Sequence, residues 1–254
     1  MTDDPDHGDP DHGDPASAEQ RPARAFFGRR KGHTLRRHHT DLLDTLLPRL
    51  AVDLSQPAPR PLGALLDPPV ETVRLEIGFG GGEHLVAQAA ADPACGFIGC
   101  EGFVNGVAQL LAHVEANGIS NIRVHHGDAA ELLAWLPDAS LGRVDLLYPD
   151  PWRKRRHWKR RFVQDETVAT LARILADGGE FRFASDWEHY AAWTLEHLLR
   201  SPDFEWTAER AADWRAPWAG FTRTRYEAKA IREGRSPCYL VFRRRPRAAG
   251  AGPG

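Results

Sequence analysis

The sequence has few cysteines and lacks any long apolar run. Cys95, Cys100 and Cys238 form no pair with metal-ligand spacing, so we expect reduced core thiols and no metal site. Cys95 and Cys100 lie five residues apart on one predicted strand and should point to opposite faces of a sheet. No apolar segment approaches the roughly 20 residues of a membrane span, and the acidic N-terminus differs from a signal peptide. We therefore predict a cytoplasmic protein that does not bind a membrane.

The length and composition are those of one large α/β domain with short appendages. Of the 254 residues, 42% are hydrophobic, which is sufficient for a substantial core. The net charge of −2 conceals an asymmetry, because residues 1–20 carry seven acidic residues and no Lys or Arg. Without these seven, 28 acidic residues remain against 33 Lys and Arg, and the basic excess is concentrated in residues 21–37 and 153–161.

Local composition divides the chain into five segments. An Asp-Pro-Asp-His-Gly repeat near the N-terminus is too polar to bury a core. Leucines recur at helical spacing from Leu42 to Leu50, and a proline-rich stretch follows them. We predict a disordered acidic tail (1–20), a basic arm with a helix (21–55), a proline-rich linker (56–70), an α/β domain (71–245) and a disordered tail (246–254).

Strand-like and helix-like patterns alternate through the α/β domain, which predicts a mainly parallel Rossmann-like sheet of seven strands with helices on both faces. The predicted strands are Thr72–Ile77, Gly96–Cys100, Ile122–His126, Val144–Tyr148, Glu180–Ala184, Phe204–Thr207 and Tyr239–Arg243. The predicted helices are Glu83–Ala91, Val104–Asn117, Glu131–Leu136, Asp165–Leu175, Trp187–Leu199 and Tyr226–Glu233.

A glycine-rich loop follows the first predicted strand. Residues 76–83 read Glu-Ile-Gly-Phe-Gly-Gly-Gly-Glu, and such glycines permit a tight turn close to a ligand. A dinucleotide fingerprint would end in glycine, whereas Glu83 stands there and its charge would repel a pyrophosphate. The loop therefore favours an adenosyl ligand without phosphates. S-adenosylmethionine carries an amino group and a sulfonium, which suit an acid such as Glu76 at the strand end.

Two further acids follow the next two strands. Glu101 could accept hydrogen bonds from both hydroxyls of a ribose, and Asp128 could accept one from an adenine amino group. Each acid alone could equally be a helix cap or a solvated residue. Three acids at successive strand ends beside a glycine loop favour an adenosyl site.

A dense basic stretch follows the fourth predicted strand. Seven of the nine residues from 153 to 161 are Lys or Arg, and they come directly after the sheet edge where α/β proteins bind ligands. Such density could be a solvated face, but this position favours phosphate binding that weakens with salt. Asp150 stands between two prolines that fix its backbone. Trp152 and Trp158 could stack on bases, although a core role for Trp152 is equally compatible.

These motifs together resemble bacterial tRNA (guanine-N(7)-)-methyltransferases, over about residues 24–244. The motifs that carry the resemblance are Leu-Glu-Ile-Gly-Phe-Gly-Gly-Gly (75–82), Gly-Cys-Glu (99–101), Gly-Asp-Ala (127–129), Pro-Asp-Pro-Trp (149–152), the basic run to Arg161, Ser-Asp-Trp (185–187) and Thr-Arg-Tyr-Glu (224–227). The resemblance implies methyl transfer from S-adenosyl-L-methionine to guanine N(7) at position 46 of the tRNA variable loop. S-adenosylhomocysteine would be the second product, and residues 71–245 would be the methyltransferase domain.

The resemblance also implies a role for each matched residue. The methyl donor would contact Glu76, Gly78, Glu101, Asp128 and Asp150. The substrate guanosine would contact Lys154, Asp186, Thr224, Arg225, Tyr226 and Glu227. The RNA would contact Arg156, His157, Trp158, Lys159, Arg160 and Arg161. The sequence departs from the family pattern at Tyr148, where Phe is usual, at Trp158, where a smaller polar residue is common, and in the repetitive tail.

Ordinary structural roles remain as alternatives for part of this set. Asp186 could cap a helix before Trp187, Glu227 could be a solvated helix residue, and Thr224 could be a helix cap. A methyltransferase acting on an exocyclic amine would carry Asn/Asp-Pro-Pro-aromatic, which differs from the order found here. A non-catalytic RNA-binding protein and an NAD-dependent enzyme are further alternatives, and the glycine loop disfavours both. The chain is compatible with a monomer or a homodimer.

The expected chemistry needs no catalytic base, because the in-plane lone pair of guanine N(7) is already nucleophilic. The site must align nitrogen, methyl and sulfur, and must tolerate the positive charge that passes to the base. We expect Asp150 to be the catalytic residue in this sense. An acceptor such as Asp186 or Glu227 would select guanine through its N–H edge.

Overall fold

A seven-stranded mixed sheet forms the centre of the computed structural model, which describes Gly28 and residues 30–248. The strands are β1 (Thr72–Ile77), β2 (Cys95–Cys100), β3 (Ile122–His125), β4 (Leu141–Leu147), β5 (Leu175–Ser185), β6 (Phe204–Trp206) and β7 (Cys238–Arg244). Their order across the sheet is β3-β2-β1-β4-β5-β7-β6. The strands from β3 to β5 are parallel, and β7 is antiparallel to both of its neighbours. This order confirms the predicted Rossmann-like sheet.

Helices cover both faces of the sheet. They are α1 (Arg37–Thr45), α2 (Leu47–Leu50), α3 (Glu83–Ala91), α4 (Val104–Asn117), α5 (Ala129–Trp135), α6 (Asp165–Ile174), α7 (Glu188–Arg200), α8 (Ala212–Arg215) and α9 (Arg225–Arg232). Helices α1 to α4 pack on one face in a cluster that includes Cys95. Helices α5 to α7 pack on the other face in a cluster that includes Cys100, so the two free thiols point to opposite faces as predicted. None of the described helices is long and apolar enough to cross a membrane.

Most predicted element boundaries lie within three residues of the observed ones. The exception is β5, which begins at Leu175, five residues before the predicted start at Glu180. Its pairing with β4 shifts register, since Leu141 faces Leu175 whereas Arg143 faces Glu180. The intervening Ala-Asp-Gly-Gly has no alternating pattern of apolar residues, so this part of the strand gives no sequence signal.

The helix predicted around Leu42 to Leu50 is in fact two helices, α1 and α2, which meet at Leu46. Pro48 lies in the first turn of α2 and has no N–H to donate to a preceding carbonyl, so a continuous helix would lose that hydrogen bond. Leu42 and Leu50 are nevertheless both buried in the cluster that contains α4. The helical spacing of the leucines therefore identified the face that packs on the domain.

The proline-rich stretch predicted as a linker packs into the core along part of its length. Leu62–Leu65 form a 3-10 helix, and Leu62 and Leu66 are both 4% exposed. The Val70 N–H donates to the Gly63 carbonyl at 3.3 Å, which closes this segment onto the start of β1. The predicted tail over 1–20 and most of the predicted tail over 246–254 lie outside the described residues.

Because Leu62 is buried in the core, we expect Leu62→Ala to lower the free energy of unfolding by about 2–5 kcal/mol. The matched control is Leu199→Ala, because Leu199 is 57% exposed and its truncation removes little buried area. Urea denaturation of both variants measures the difference. Equal losses in the two variants would show that residues 56–70 do not contribute to the core.

Candidate active site

A cavity of about 490 Å³ opens at the carboxyl edge of the sheet, between the ends of β1, β2 and β4. The strand order reverses between β1 and β4, and open α/β sheets bind ligands at such a reversal. The volume is in the range of small-molecule sites. The predicted site residues that line this cavity are Gly78, Glu101, Asp128, Asp150, Arg160, Arg161 and Tyr226.

The glycine loop after β1 forms one wall of the cavity. Gly78 and Gly80 have φ values of 71° and 58°, in the left-handed region that glycine adopts without steric penalty. The two carboxylate oxygens of Glu101 accept hydrogen bonds from the backbone N–H groups of Gly80 and Phe103, each at 2.9 Å. Burial raises the pKa of the Glu101 carboxyl, although both hydrogen bonds oppose the shift. Glu101 thus joins the glycine loop to the start of α4.

Helix α4 stands directly against the glycine loop. A Cβ on Gly106 would lie 2.2 Å from the carbonyl oxygen of Gly80, so only glycine permits this approach. The described part of the basic arm runs along the start of the same helix. Gly32 donates its N–H to the Asn105 side chain at 2.8 Å, and Gly28 lines the cavity. The arm therefore contributes to the cavity as well as to the surface.

Asp128 follows β3 and lines another side of the cavity. Its Oδ1 accepts a hydrogen bond from the Ala130 N–H at 2.9 Å and caps α5. The two roles considered from the sequence therefore coexist, because the residue both caps a helix and faces the cavity.

The Pro149-Asp150-Pro151 segment places a carboxylate at the mouth of the cavity. The residues on either side, Tyr148 and Trp152, have φ values of 50° and 43°, which non-glycine residues adopt only when the surrounding structure enforces them. Asp150 lines the cavity, and desolvation by the surrounding protein raises its pKa even though the residue is exposed at the mouth. Such local strain is typical of functional sites.

Glu76 is the predicted donor ligand that does not line the cavity. It is buried behind the glycine loop, and its Oε2 lies 2.8 Å from Nδ1 of His84 on α3. Glu76 therefore supports the loop from behind, and its predicted contact with the donor stays a prediction.

A second buried ion pair lies beside Glu76 and His84. The Nε of Arg143 donates to Oδ2 of Asp145 at 2.8 Å, and another nitrogen of the same guanidinium donates to Gln88 at 2.9 Å. The Gln88 side chain in turn donates to the carbonyl of residue 220 at 2.7 Å. This chain of contacts ties β4 and α3 to the segment that leads into α9.

The start of α9 lies at the rim of the cavity. Tyr226 is 48% exposed and lines the cavity, with its ring next to Gly80 of the glycine loop. Arg225 donates to the side chain of Gln109 on α4 at 3.1 Å. Helix α9 therefore reaches across to the wall formed by α4 and the glycine loop.

The other predicted substrate residues occupy three different environments. Glu227 is 1% exposed, so it is not the solvated helix residue considered as an alternative. Thr224 is the N-cap of α9, since its Oγ1 accepts from the Glu227 N–H at 3.1 Å. Asp186 does not cap α7 and instead accepts a hydrogen bond from Arg235 at 2.6 Å. Lys154 is exposed and lies outside the cavity lining.

The basic stretch after β4 presents a cationic surface next to the cavity. Residues Arg155–Arg160 form a 3-10 helix. Within this part of the chain Arg153, Lys154, Arg155, Arg156 and Lys159 are exposed, and His157 and Arg160 are half-buried. The exposed residues all carry guanidinium or ammonium groups, and we call the exposed residues from 153 to 159 the basic surface.

Arg161 belongs to the interior rather than to this surface. It is 1% exposed, its Nε donates to the Pro151 carbonyl at 3.0 Å, and its guanidinium packs on the rings of Trp158 and Trp193. The Trp158 ring also lies 4.5 Å from that of His189. Arg161 is therefore not part of the basic surface, whereas Trp158 is half-buried beside it. The RNA contacts of both residues stay predictions.

Sequence reasoning missed the residues that support the cavity from behind. His84, Tyr239 and Gly106 each act through a partner that the fold brings close. For His84 and Tyr239 no local pattern indicated the contact. Gly106 did have a signal, because a glycine inside a predicted helix costs roughly 1 kcal/mol relative to alanine and usually has a packing reason.

The arrangement suits a cationic ligand that carries hydroxyl and amino groups. Three carboxylates, those of Glu101, Asp128 and Asp150, line the cavity, and they would repel phosphates but accept hydrogen bonds. Among residues 30–248 there is no group of three or more side chains arranged to hold a metal ion. The neighbouring basic surface is positively charged and can bind a polyanion.

The Glu76 and His84 pair predicts a pH dependence of stability. Burial raises the pKa of Glu76. Burial lowers the pKa of His84, but the charge of Glu76, its hydrogen bond to His84 and the charge of Asp145 together outweigh burial, so the pKa of His84 is also raised. Both groups therefore retain protons in the folded protein at pH values where the unfolded chain has released them. Their contribution is fully present below the ordinary pKa values of 4.5 and 6.5 and is lost as the pH rises through the raised folded values.

We therefore expect the free energy of unfolding to fall more steeply with rising pH in the natural protein than in Glu76→Gln/His84→Gln. Urea denaturation at a series of pH values from about 5 upward measures the two slopes. Glu71→Gln/His126→Gln is the matched control, since both of its residues are exposed. Parallel curves for the natural protein and the buried-pair variant would contradict the expectation.

Comparison with known proteins shows similarity to methyltransferases. A family model described as "Putative methyltransferase" matches residues 70–239. The tRNA (guanine-N(7)-)-methyltransferase of Rhodopseudomonas palustris strain BisB5 is 64% identical over 87% of this chain and 86% of its own length. The enzyme of the same name from Nitrobacter winogradskyi is 63% identical over 88% of this chain and 87% of its own.

Among solved structures, the 16S rRNA methyltransferase KamB aligns with a TM-score of 0.51 at 15% identity, covering 75% of this chain and 96% of that one. This likeness concerns the fold alone. The similarity to the two sequence relatives extends over most of both chains. The chain belongs to the tRNA (guanine-N(7)-)-methyltransferase family.

Proposed function

We propose that this protein transfers a methyl group from S-adenosyl-L-methionine to N(7) of a guanine in tRNA, at position 46 of the variable loop. The observation that carries the proposal is a cavity lined by carboxylates directly beside a basic surface. The cavity suits the methyl donor, and the surface suits the RNA backbone. Family membership adds the nature of the acceptor, since relatives about 63% identical are named for guanine N(7) in tRNA.

The residues around the cavity fit the donor. Glu101 stands at the end of β2, where a carboxylate can accept from ribose hydroxyls, and Asp128 stands where an adenine amino group can donate. Gly78 keeps the wall of the cavity free of a side chain. When bound, S-adenosyl-L-methionine supplies an electrophilic methyl group on a cationic sulfur. Asp150 at the mouth provides a negative charge that complements this cation.

The chain's own contribution to the reaction is alignment and electrostatics. Guanine N(7) needs no deprotonation, so the site has to orient the base and accommodate the positive charge that it acquires. Asp150 suits this role, because the flanking prolines and the two left-handed residues hold its backbone in one conformation. In the segment from Thr224 to Glu227, Tyr226 lines the cavity, where it can contact the base.

The basic surface would hold the tRNA backbone. Its exposed guanidinium and ammonium groups follow the cavity mouth directly in the chain, so phosphates bound there would keep the RNA next to Asp150. The half-buried Arg160 lines the cavity itself and lies over the ring of Trp152 at 5.1 Å. In this arrangement Arg161 supports the surface from inside.

We expect Asp150→Asn to lower kcat for tRNA methylation by roughly 100-fold, as loss of a charge that stabilises a transition state does. Transfer of labelled methyl groups to tRNA measures the rate, and nuclease mapping identifies the nucleoside. Asp138→Asn is the control, since Asp138 is exposed and lies just before β4, at the amino ends of the parallel strands and away from the cavity. A rate near that of the natural protein would remove Asp150 from the mechanism. A product other than 7-methylguanosine would refute the proposed reaction.

We expect Arg156→Gln/Lys159→Gln to weaken tRNA binding and to reduce the slope of log affinity against log salt by about 0.9 for each phosphate that is no longer neutralised. Fluorescence titration with labelled tRNA at several salt concentrations measures the slope. The charge-matched control is Arg200→Gln/Arg245→Gln. These exposed residues lie at the end of α7 and directly after β7, away from the carboxyl ends of the parallel strands where the cavity opens. The same slope in both double variants would show that the basic surface does not contact phosphates.

A further inference from the structure

A group of polar side chains, with a buried carboxylate at its centre, joins α9 to β7. The Tyr239 hydroxyl on β7 donates to Oε1 of Glu227 on α9 at 2.5 Å, and Glu227 is 1% exposed. Arg223 lies 4.0 Å from the same oxygen. One carboxylate oxygen of Glu227 is thus fixed by neighbours on the protein.

The other oxygen of Glu227 has no such neighbour. Its Oε2 is buried and makes no hydrogen bond within the described part of the chain, and the same holds for the hydroxyl of Tyr148. Leaving a buried polar atom without a partner is costly, particularly for a charged group. A group that is retained at this cost commonly serves a bound molecule rather than the fold.

Tyr148 links this group to the catalytic segment. It is the last residue before Pro149-Asp150, it has a φ of 50°, and it lines the cavity. The ring packs against Tyr239 in a small cluster with Trp218 and Phe221. Burial raises the pKa of the Tyr148 hydroxyl, and the nearby Tyr239, Glu227 and Asp186 raise it further, so it stays a protonated donor.

The direction of the hydrogen bonds follows from these contacts. The Tyr239 hydroxyl donates its single hydrogen bond to Glu227. Burial raises the pKa of Tyr239, so the hydroxyl stays protonated. Tyr239 can therefore hold the carboxylate in one orientation without a transfer of the proton.

We propose that Tyr239 is a positioning residue that orients Glu227, so that its free Oε2 receives the N–H edge of the target guanine. This inference rests on the proposed function. Guanine presents N1–H and the N2 amino group as donors, which match a carboxylate oxygen, whereas adenine presents an unprotonated N1 that would be repelled. The orientation of Glu227 thus determines the choice of base.

The test compares tRNA transcripts that carry guanine or inosine at the target position, because inosine keeps N1–H and lacks the N2 amino group. For the natural protein we expect kcat/KM to favour guanine by at least about tenfold, because inosine offers the buried acceptor one donor where guanine offers two. In Tyr239→Phe this preference should fall to within about threefold, through loss of rate on guanine with little loss on inosine. Donor affinity, measured by calorimetry, should stay unchanged.

A control variant makes the result specific. Thr194→Val also removes a buried hydroxyl, on α7, which makes no hydrogen bond within the described part of the chain, and it should keep the natural preference.

An unchanged preference in Tyr239→Phe, or an equal loss of rate on the two transcripts, would overturn the inference and leave the proposed function intact. Absence of methylation of the guanine transcript by the natural protein would refute the proposed function itself, and the inference with it.

Discussion

The reversal of strand order between β1 and β4 is the constraint on which the rest of the structure depends. Helices α3 and α4 leave to one face of the sheet and helices α5 to α7 to the other, so no crossover covers the carboxyl ends of these two adjacent strands. The open cavity forms there, with Glu101 on one side and Asp150 on the other. Residues far apart in the chain meet at this point only because parallel strands end at the same edge.

The parts of the protein that follow from local patterns were predictable from the sequence. The bounds of β1, α3 and α4 agree with prediction, and parallel topology brings Glu101, Asp128 and Asp150 to one cavity. The sequence could not show what tertiary contacts decide. Glu76 also stands at a strand end, yet it is buried behind the loop with a histidine. Arg161 continues a basic run, and only the packed structure shows its guanidinium enclosed by aromatic rings.

The basic stretch shows how one composition can serve two physical purposes. Its exposed part keeps charges in water, where they can exchange counterions for phosphates. Its last residue, Arg161, is stabilised instead by cation–π contacts and by a bond to the carbonyl of Pro151, directly after the proposed catalytic carboxylate. The surface that would bind RNA and the segment that would act on the base are therefore connected through a single buried side chain.

The contact between Gly106 and Gly80 leaves no clearance on one side of the cavity. Backbone meets backbone there, so α4 and the glycine loop can move only together. Tyr226 lies next to the same loop, is half exposed, and belongs to a helix that contacts α4 through an arginine side chain. A methyl group at Gly106 would therefore push apart the loop and the helix that Glu101 joins, and would reshape the cavity without contacting a ligand.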